Sequence, residues 1–597
     1  MEIFLLLFAG ARLDPAHPQA PQRDRIIVSH GHTAAGLYAA LGHTGFIPIG
    51  EVVTSFRQHG SIYEGHPTRA VPGVEWAGGN LGQGLSVGCG MALATRFTGE
   101  DYHVYVVMGD GEQQKGQLTE AQRFAAHHRL TNLTAIIDLN GLQATGATGE
   151  VMAQHLTAEY TAHGWEALAV DGHDFDALYL ALHQCRTATR PTVILARTTM
   201  GKGVAGKEDC HTFHGQPLSE AECAEALAAL TVVDDNTQAI SPPSSPQILV
   251  SAVETRVLPG TAHLYPVDAQ VENRSAFGTA LAELAESNIP RGIPLVALDC
   301  DLLPSVKTDR FAARFPAHLI QCGIQEHHAA ALTGGLAAAG VLPFFADFGV
   351  FAIGETYNQQ RLNDINHAGV KLICTHCGLD VGEDGESHQC IDYIGLFANF
   401  FGWRLIVPAD ANQTDRAVRY MATTPGNIAL AIGRSKLPVL AGKDGEPFFG
   451  AEYRFEYGKA DWLVHGSAAT IITCGSMAHR AVKAAGTLAA DGYAVGVLNI
   501  SCPLALDHAA IRRAAATGTV LVYEDHHVRT GLGSLLAALI LEEGLSCRFQ
   551  RLGITRYGTS ALPDELYRDQ GLDVEAVVAR MRHLLEEQSN ERTVSAC

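Results

Sequence analysis

The sequence predicts an α/β protein of three consecutive α/β domains with mainly parallel sheets. Three observations predict it. Short apolar runs alternate with Ala-rich helical stretches along the chain, the pattern of parallel strands joined by right-handed crossovers. Val232–Pro246 shifts to Asp, Asn, Thr, Ser and Pro and reads as a linker. The length, 597 residues, holds several domains of roughly 100–200 residues each.

Taken in order, Ile3–Ala9 is apolar but has no Lys or Arg before it, so it reads as a buried helix rather than a signal peptide. Gly78–Ser86 is a Gly-rich loop leading into a small-residue helix, Val87–Ala94. Val104–Met108 is a strand ending in Gly109-Asp110-Gly111. A helix follows over roughly Gln117–His128, then the strands Leu133–Asp138 and Pro191–Ala196. Beyond the linker, Pro294–Asp299 and Val370–Thr375 read as strands of a second block, and Gln321–His328 opens an Ala/Gly-rich helix running to Gly340. Gly382–Gln389 reads as a polar loop. Ala469–Thr473, Ala494–Leu498 and Thr519–Tyr523 read as strands of a third block, and the polar tail Glu586–Cys597 is expected to fray. The boundaries follow as 1–232, a linker 233–268, then 269–445 and 446–597.

Composition excludes several classes. Apolar residues make up 47% of the chain, too many for a disordered protein. The net charge of −21 disfavours nucleic acid and anionic lipid as bulk partners. Thirteen cysteines at this length are no disulfide framework. Cys374 and Cys377 form a lone C-x-x-C with no second pair to complete a zinc site. A reducing, cytoplasmic location is expected, and no run approaches the roughly 18 apolar residues of a membrane span.

Asp110 and Asn140 each follow an apolar strand, and ligands of parallel sheets sit beyond the carboxyl ends of strands. A carboxylate and an amide oxygen arriving together suit a hard divalent cation that binds phosphates. The Gly-rich loop ahead of a helix suits a phosphate or ring contact, although it is neither a P-loop nor a G-x-G-x-x-G after a strand. Adjacent side chains on a helix diverge, so His327-His328 is no metal pair. His32, His66, His214, His376 and His388 all lie close to glycines in loops.

Together and in this order, these motifs resemble those of the transketolases, from the first residues to about residue 585. The resemblance implies a thiamine diphosphate-binding fold and an obligate homodimer with active sites at the subunit interface. It divides the chain into diphosphate-binding, pyrimidine-binding and C-terminal domains. It implies thiamine diphosphate held with Mg²⁺, for which Ca²⁺ or Mn²⁺ can stand in. Asp110, Asn140 and the carbonyl of Leu142 match the metal ligands. His66, Gly79, Asn80, Leu81, Gly111, Asn140 and His214 match cofactor contacts of the first domain, and Asp301, Glu326 and Phe351 those of the second. Glu326 faces the ring nitrogen N1′, where burial is expected to favour its protonated form. Phe351 stacks on the aminopyrimidine.

The activity implied is reversible transfer of a two-carbon ketol unit from a ketose phosphate to an aldose phosphate, through a carbanion and adduct of the cofactor. His32, His214 and His388 would move hydroxyl protons beside Glu326. His32, Arg274, Ser305, His376, Asp384, His388 and Arg434 match the substrate contacts. Sugar phosphates are then the partners, with Arg suited to a phosphate.

Two departures stand out. The family's Ser-Gly-His-Pro-like segment, which brings a substrate-contacting histidine, has no match ahead of Glu2–Phe8 in this sequence, so either the start is truncated or one donor-site histidine is lacking. Lys115 stands where the family usually has Glu in a carboxylate chain between active sites, of which Glu120 is retained. Lys115 is expected to weaken proton-mediated coupling between sites without abolishing catalysis. Rival readings are a transketolase-like enzyme for an unusual sugar, a 1-deoxyxylulose-5-phosphate synthase-like enzyme acting on pyruvate, and a non-catalytic cofactor-binding homologue.

Overall fold

The computed structural model describes residues 1–230 and 257–596, with side chains up to residue 588. The expected linker Val232–Pro246 lies outside the described residues. The chain forms two compact units, Met1–Val253 with His327–Val341, and Glu254–Glu326 with Leu342–Cys597.

The first unit is built on a five-stranded parallel sheet. Its strands are β1 (Arg25–Val28), β2 (Val104–Gly109), β3 (Leu133–Leu139), β4 (Glu166–Asp171) and β5 (Thr192–Arg197), in the order β1-β2-β3-β5-β4. The apolar runs of β1, β2 and β3 are buried on both faces, as a parallel sheet covered by helices requires. In the register, Gly109 pairs with Asp138, so Asp110 and Asn140 leave the sheet at the same edge.

Three helices of this unit position the site. Helix α1 (Glu2–Gly10) is the predicted N-terminal helix; it buries Ile3, Phe4, Leu7 and Phe8 in a core shared with Leu37, Tyr38 and Phe46. Helix α2 (Gly84–Thr98) begins three residues before its predicted start, and α3 (Gly116–His127) follows the Gly-Asp-Gly turn. The segment His327–Val341 carries most of α4 (Glu326–Ala338) into the same unit. Glycines bring α2 and α4 backbone to backbone. A Cβ on Gly90 would lie 2.2 Å from the Leu332 carbonyl oxygen, and one on Gly335 would lie 2.2 Å from that of Val87.

Besides a two-stranded antiparallel pair, Gln270–Glu272 with Lys436–Pro438, the second unit holds two larger sheets. One has six parallel strands, β6 (Leu295–Asp299), β7 (Leu319–Gln321), β8 (Leu342–Phe348), β9 (Lys371–Thr375), β10 (Trp403–Ile406) and β11 (Asn427–Ala431), in the order β7-β6-β8-β9-β11-β10. The other comprises β12 (Asp461–Val464), β13 (Ala469–Thr473), β14 (Val495–Asn499), β15 (Thr519–His527) and β16 (Arg548–Ile554), in the order β12-β14-β13-β15-β16. Only the edge strand β12 of this sheet is antiparallel.

Gly382–Gln389 is a polar loop containing short 3₁₀ turns that end at His388, with Gly382 non-helical at φ +66 and Gly385 at φ +79. One local expectation needs correction. The tail does not stop being helical at Glu586, because α5 runs Val574–Ala596. Every described cysteine is a free thiol. No helix among the described residues is long and apolar enough to cross a membrane.

The α2–α4 contact generates a prediction. Gly90→Ala must displace a backbone carbonyl and is expected to cost about 1–3 kcal/mol. Gly486 lies within the helix Ala478–Ala490, and a Cβ there meets nothing within 4 Å. Gly486→Ala is expected to be neutral or stabilising by up to about 1 kcal/mol. Thermal unfolding of the two variants beside the parent chain tests both; equal midpoints for Gly90→Ala and the parent would refute the close packing.

Candidate active site

In the first unit the strand ends open on a cavity of about 1030 Å³. Asp110, Gly111, Asn140, Leu142, His30, His32, Leu81 and His214 line it. Asp110 is almost fully buried, and its carboxylate bridges two strand ends. Oδ1 accepts the Gly111 N–H at 2.7 Å and Oδ2 the Gly141 N–H at 2.6 Å. Gly141 turns the chain at φ +73, a conformation that suits glycine. Asn140 Oδ1 accepts the Leu142 N–H at 2.9 Å, which fixes the amide beside Asp110. Burial raises the Asp110 carboxyl, its backbone bonds oppose that, and the nearby Asp138 charge adds to the rise.

This donor set tests well against a divalent cation. It offers a carboxylate, an amide oxygen and a turn of backbone carbonyls, all hard oxygen donors, and a cation there would offset the desolvation of Asp110.

The imidazoles converge on the same wall. His32 lies 5.3 Å from His30 and 5.1 Å from His214, centroid to centroid. Desolvation, then the charges of His30, His214 and His66, push His32 down to about 4, so it is neutral at physiological pH. His66 covers Gly79, where a Cβ would meet the imidazole Cδ2 at 2.6 Å; φ at Gly79 is +110. That position therefore accepts only glycine. At Gly111 a Cβ would meet Gln143 at 3.3 Å.

Sequence reasoning missed two residues here. Glu112 is buried and accepts the N–H groups of Gly82 at 2.7 Å and Gly109 at 3.1 Å, as well as the Ser29 hydroxyl. It ties the Gly-rich loop to the end of β2. His30 donates from Nδ1 to the Val107 carbonyl at 3.2 Å. The signal for both was present, since Glu112 follows Gly-Asp-Gly and His30 adjoins His32. Lys115 stands on the cavity wall, and its stem covers Gly82. Glu120 accepts the His328 N–H at 2.9 Å.

The second unit gathers the remaining predicted residues. Phe351 lies 6.1 Å from Phe348 in a stacked pair, and His388 meets its edge at 5.6 Å. Phe348 in turn stacks on His376 at 3.7 Å. His376 is buried with φ +57; burial and then the charges of Arg274 and Arg434 push it down to about 3. Its Nδ1 donates to Thr375 Oγ1 at 2.8 Å, leaving Nε2 to accept from Arg274 Nη1 at 3.1 Å. Arg274 Nη1 also reaches the Ser305 carbonyl at 2.9 Å. Ser305 therefore enters the cluster through its backbone. Arg434 pairs with Asp384 at 3.3 Å and Glu383 at 3.7 Å. Asp301, at the end of β6, holds φ +64, a region that non-glycine residues rarely occupy; its N–H bonds Gln321 Oε1 at 2.7 Å. Glu326 is half-buried at the start of α4.

Comparison with known proteins follows the same division. Residues 1–243 match the family described as "Transketolase, thiamine diphosphate binding domain", 269–439 "Transketolase, pyrimidine binding domain" and 458–577 "Transketolase, C-terminal domain". The chain is 31% identical over 594 residues to transketolase-like protein 2 of Mus musculus, covering 97% of this chain and 91% of that one. It is 30% identical over 594 residues to the transketolase of the same species, covering 97% and 92%. Among solved structures it is similar to the transketolase of Campylobacter jejuni, with a TM-score of 0.82 and 26% identity over 97% of this chain and 94% of that one. The transketolase of Leishmania mexicana gives a TM-score of 0.82 and 25% identity over 98% and 92%. By sequence over nearly its whole length and by fold, the chain belongs to the transketolase family.

Proposed function

We propose that this protein is a thiamine diphosphate-dependent transketolase, transferring a two-carbon ketol unit reversibly between sugar phosphates. The observation that carries the proposal is one cavity wall. There Asp110 and Asn140, at adjacent strand ends, meet Gly111 and the neutral imidazole of His32. A homodimer whose active centres draw on both subunits, and a cytoplasmic location, belong to the same proposal, as do the domain boundaries given above.

Asp110, Asn140 and the carbonyl of Leu142 would hold Mg²⁺, and through it the diphosphate. His66, Gly79, Asn80, Leu81, Gly111 and His214 would line the cofactor on this side; Asp301, Glu326 and Phe351 would do so in the second unit. When bound, thiamine diphosphate supplies the electron sink that lets a carbon–carbon bond beside a ketose carbonyl break and re-form. Glu326 would hold and move a proton at the ring nitrogen N1′. Phe351, already fixed by Phe348 and His388, offers an apolar ring face that excludes water. His32 is neutral, so its imidazole is free to accept a hydroxyl proton, and His214 and His388 would share that task. Arg274 and Arg434 would grip the sugar phosphate with His376 and Ser305. Asp384, paired with Arg434, would read a donor hydroxyl.

Coupled turnover of xylulose 5-phosphate and ribose 5-phosphate tests the reading. Turnover is expected to require both thiamine diphosphate and Mg²⁺ and to stop on chelation. Glu326→Gln is expected to lose about 100-fold or more in kcat. A chain that turns over equally well without the cofactor, or with Glu326→Gln, is not a transketolase of this mechanism.

Two further outcomes are expected. Asp110→Asn weakens Mg²⁺ binding by at least about tenfold, read by calorimetry with the cofactor present. Arg274→Gln and Arg434→Gln raise KM for phosphorylated sugars by roughly 10–100-fold, while leaving unphosphorylated sugars nearly unaffected. An equal rise for both sugar classes would remove the phosphate assignment.

A further inference from the structure

Strand β8 reads Leu-Pro-Phe-Phe-Ala-Asp-Phe and is buried along its whole length. Asp347, its one charged residue, has no exposed surface. Its Oδ1 accepts the Phe348 N–H at 2.7 Å, while Oδ2 has no hydrogen-bond partner. Several elements around it contribute an acid or a thiol. Asp299 and Cys300 come from the end of β6, Cys322 from the end of β7, Cys374 from β9, and Glu326 from the start of α4. An oxygen of Asp347, an oxygen of Glu326 and Cys300 Sγ all lie within 4.8 Å of one another.

Asp299 supplies the contrast. Its Oδ1 accepts from the Leu302 N–H at 3.1 Å and Gln321 Nε2 at 2.8 Å, and its Oδ2 from Thr308 Oγ1 at 2.6 Å. That is a carboxylate with its charge fully solvated by donors. Asp347 has one backbone donor, the Phe348 N–H, and beside it only the weak thiol donor of Cys300. A buried carboxylate lacking donors carries a large desolvation cost, and two carboxyls this close do not both ionise. The donor on Oδ1 leaves Oδ2 as the oxygen that carries the proton.

We propose that Asp347 is a positioning residue: an un-ionised carboxylic acid that turns its Oδ2–H toward the Glu326 carboxyl. It fixes that carboxyl's orientation and limits the pair to a single negative charge. This inference rests on the reading of Glu326 as the group that serves the cofactor ring. Burial, and then the nearby Glu326 charge, push the Asp347 carboxyl well above the usual carboxylate range, against the pull of the Phe348 N–H. Cys300 is held as a thiol by Cys322 and by burial, so it adds no charge to the pair. The acid keeps a proton within reach of Glu326.

The test uses the full chain with thiamine diphosphate and Mg²⁺. Infrared difference spectra between the parent and Asp347→Asn at neutral pH are expected to show loss of an un-ionised carboxyl band. Loss of a carboxylate band instead overturns the inference. Asp347→Ala gives the same spectroscopic answer, so one folded variant is enough. In the transfer assay, Asp347→Asn keeps a neutral donor and is expected to hold kcat within about threefold. Asp347→Ala is expected to lower kcat by roughly 10–100-fold with KM for the sugars unchanged. An Ala variant as fast as the parent, or an Asn variant as slow as Ala, also overturns it. If Glu326→Gln stops transfer and Asp347→Ala does not, only this inference fails. If Glu326→Gln turns over normally, the reading of Glu326 fails, and the infrared band still decides the state of Asp347.

Discussion

The carboxylate of Asp110 accepts one backbone N–H from its own turn and another from the turn after the neighbouring strand. This pair of bonds fixes the geometry of the first half-site. It is available only because β2 and β3 run parallel in a register that ends both strands together. A one-residue slip would turn every side chain of β3 to the opposite face and carry Asn140 away from Asp110. The buried apolar faces of both strands resist that slip. Burial of the sheet thus sets where two polar side chains can meet, and their meeting sets where a cation and a diphosphate can be held.

Glu112 extends this constraint into the Gly-rich loop. Its bonds to Gly82, Gly109 and Ser29 hold the loop against the same strand end that presents Asp110. Gly79 then turns under the His66 ring. The helix that follows is anchored by the glycine contacts between α2 and α4, where two backbones approach with no side chain between them. Gly79, Gly90 and Gly335 serve close approaches, and a Cβ at any of them would move a ring or a carbonyl.

In the second unit, buried polar groups depend on the donors and charges around them. His376 accepts from Arg274 and donates to Thr375, and Thr375 in turn donates to the Asp347 carbonyl. Its low pKa follows from burial and two nearby arginines, which leaves the guanidinium charges unopposed by a second cation. An un-ionised Asp347 follows the same rule: in a cluster of acids and thiols, neutrality is the least costly state.

The strands were legible in the sequence wherever apolar runs ended in a turn. Val104–Met108, Leu133–Asp138 and Ala469–Thr473 lie where the pattern puts them, because a parallel strand must be apolar on both faces. Gly109-Asp110-Gly111 and Asn140 were legible as a pair for the same reason: both follow such runs. The resemblance named His66, Gly79 and the residues around Glu326, but their surroundings were not legible. Glu112 and His30 looked like ordinary neighbours of better signals. The polar stretch Gly382–Gln389 gave no sign of its 3₁₀ turns, and the tail gave none of its continuing helix. Asp347 was hidden within an apolar run, where only the packing of four other elements reveals that its second oxygen has no donor. By itself the sequence determined which segments are strands and which polar residues stand at their ends, since those follow from local pattern. Only the tertiary structure decided which buried acids are solvated by donors and which imidazoles stay neutral, because charge states depend on neighbours far away along the chain.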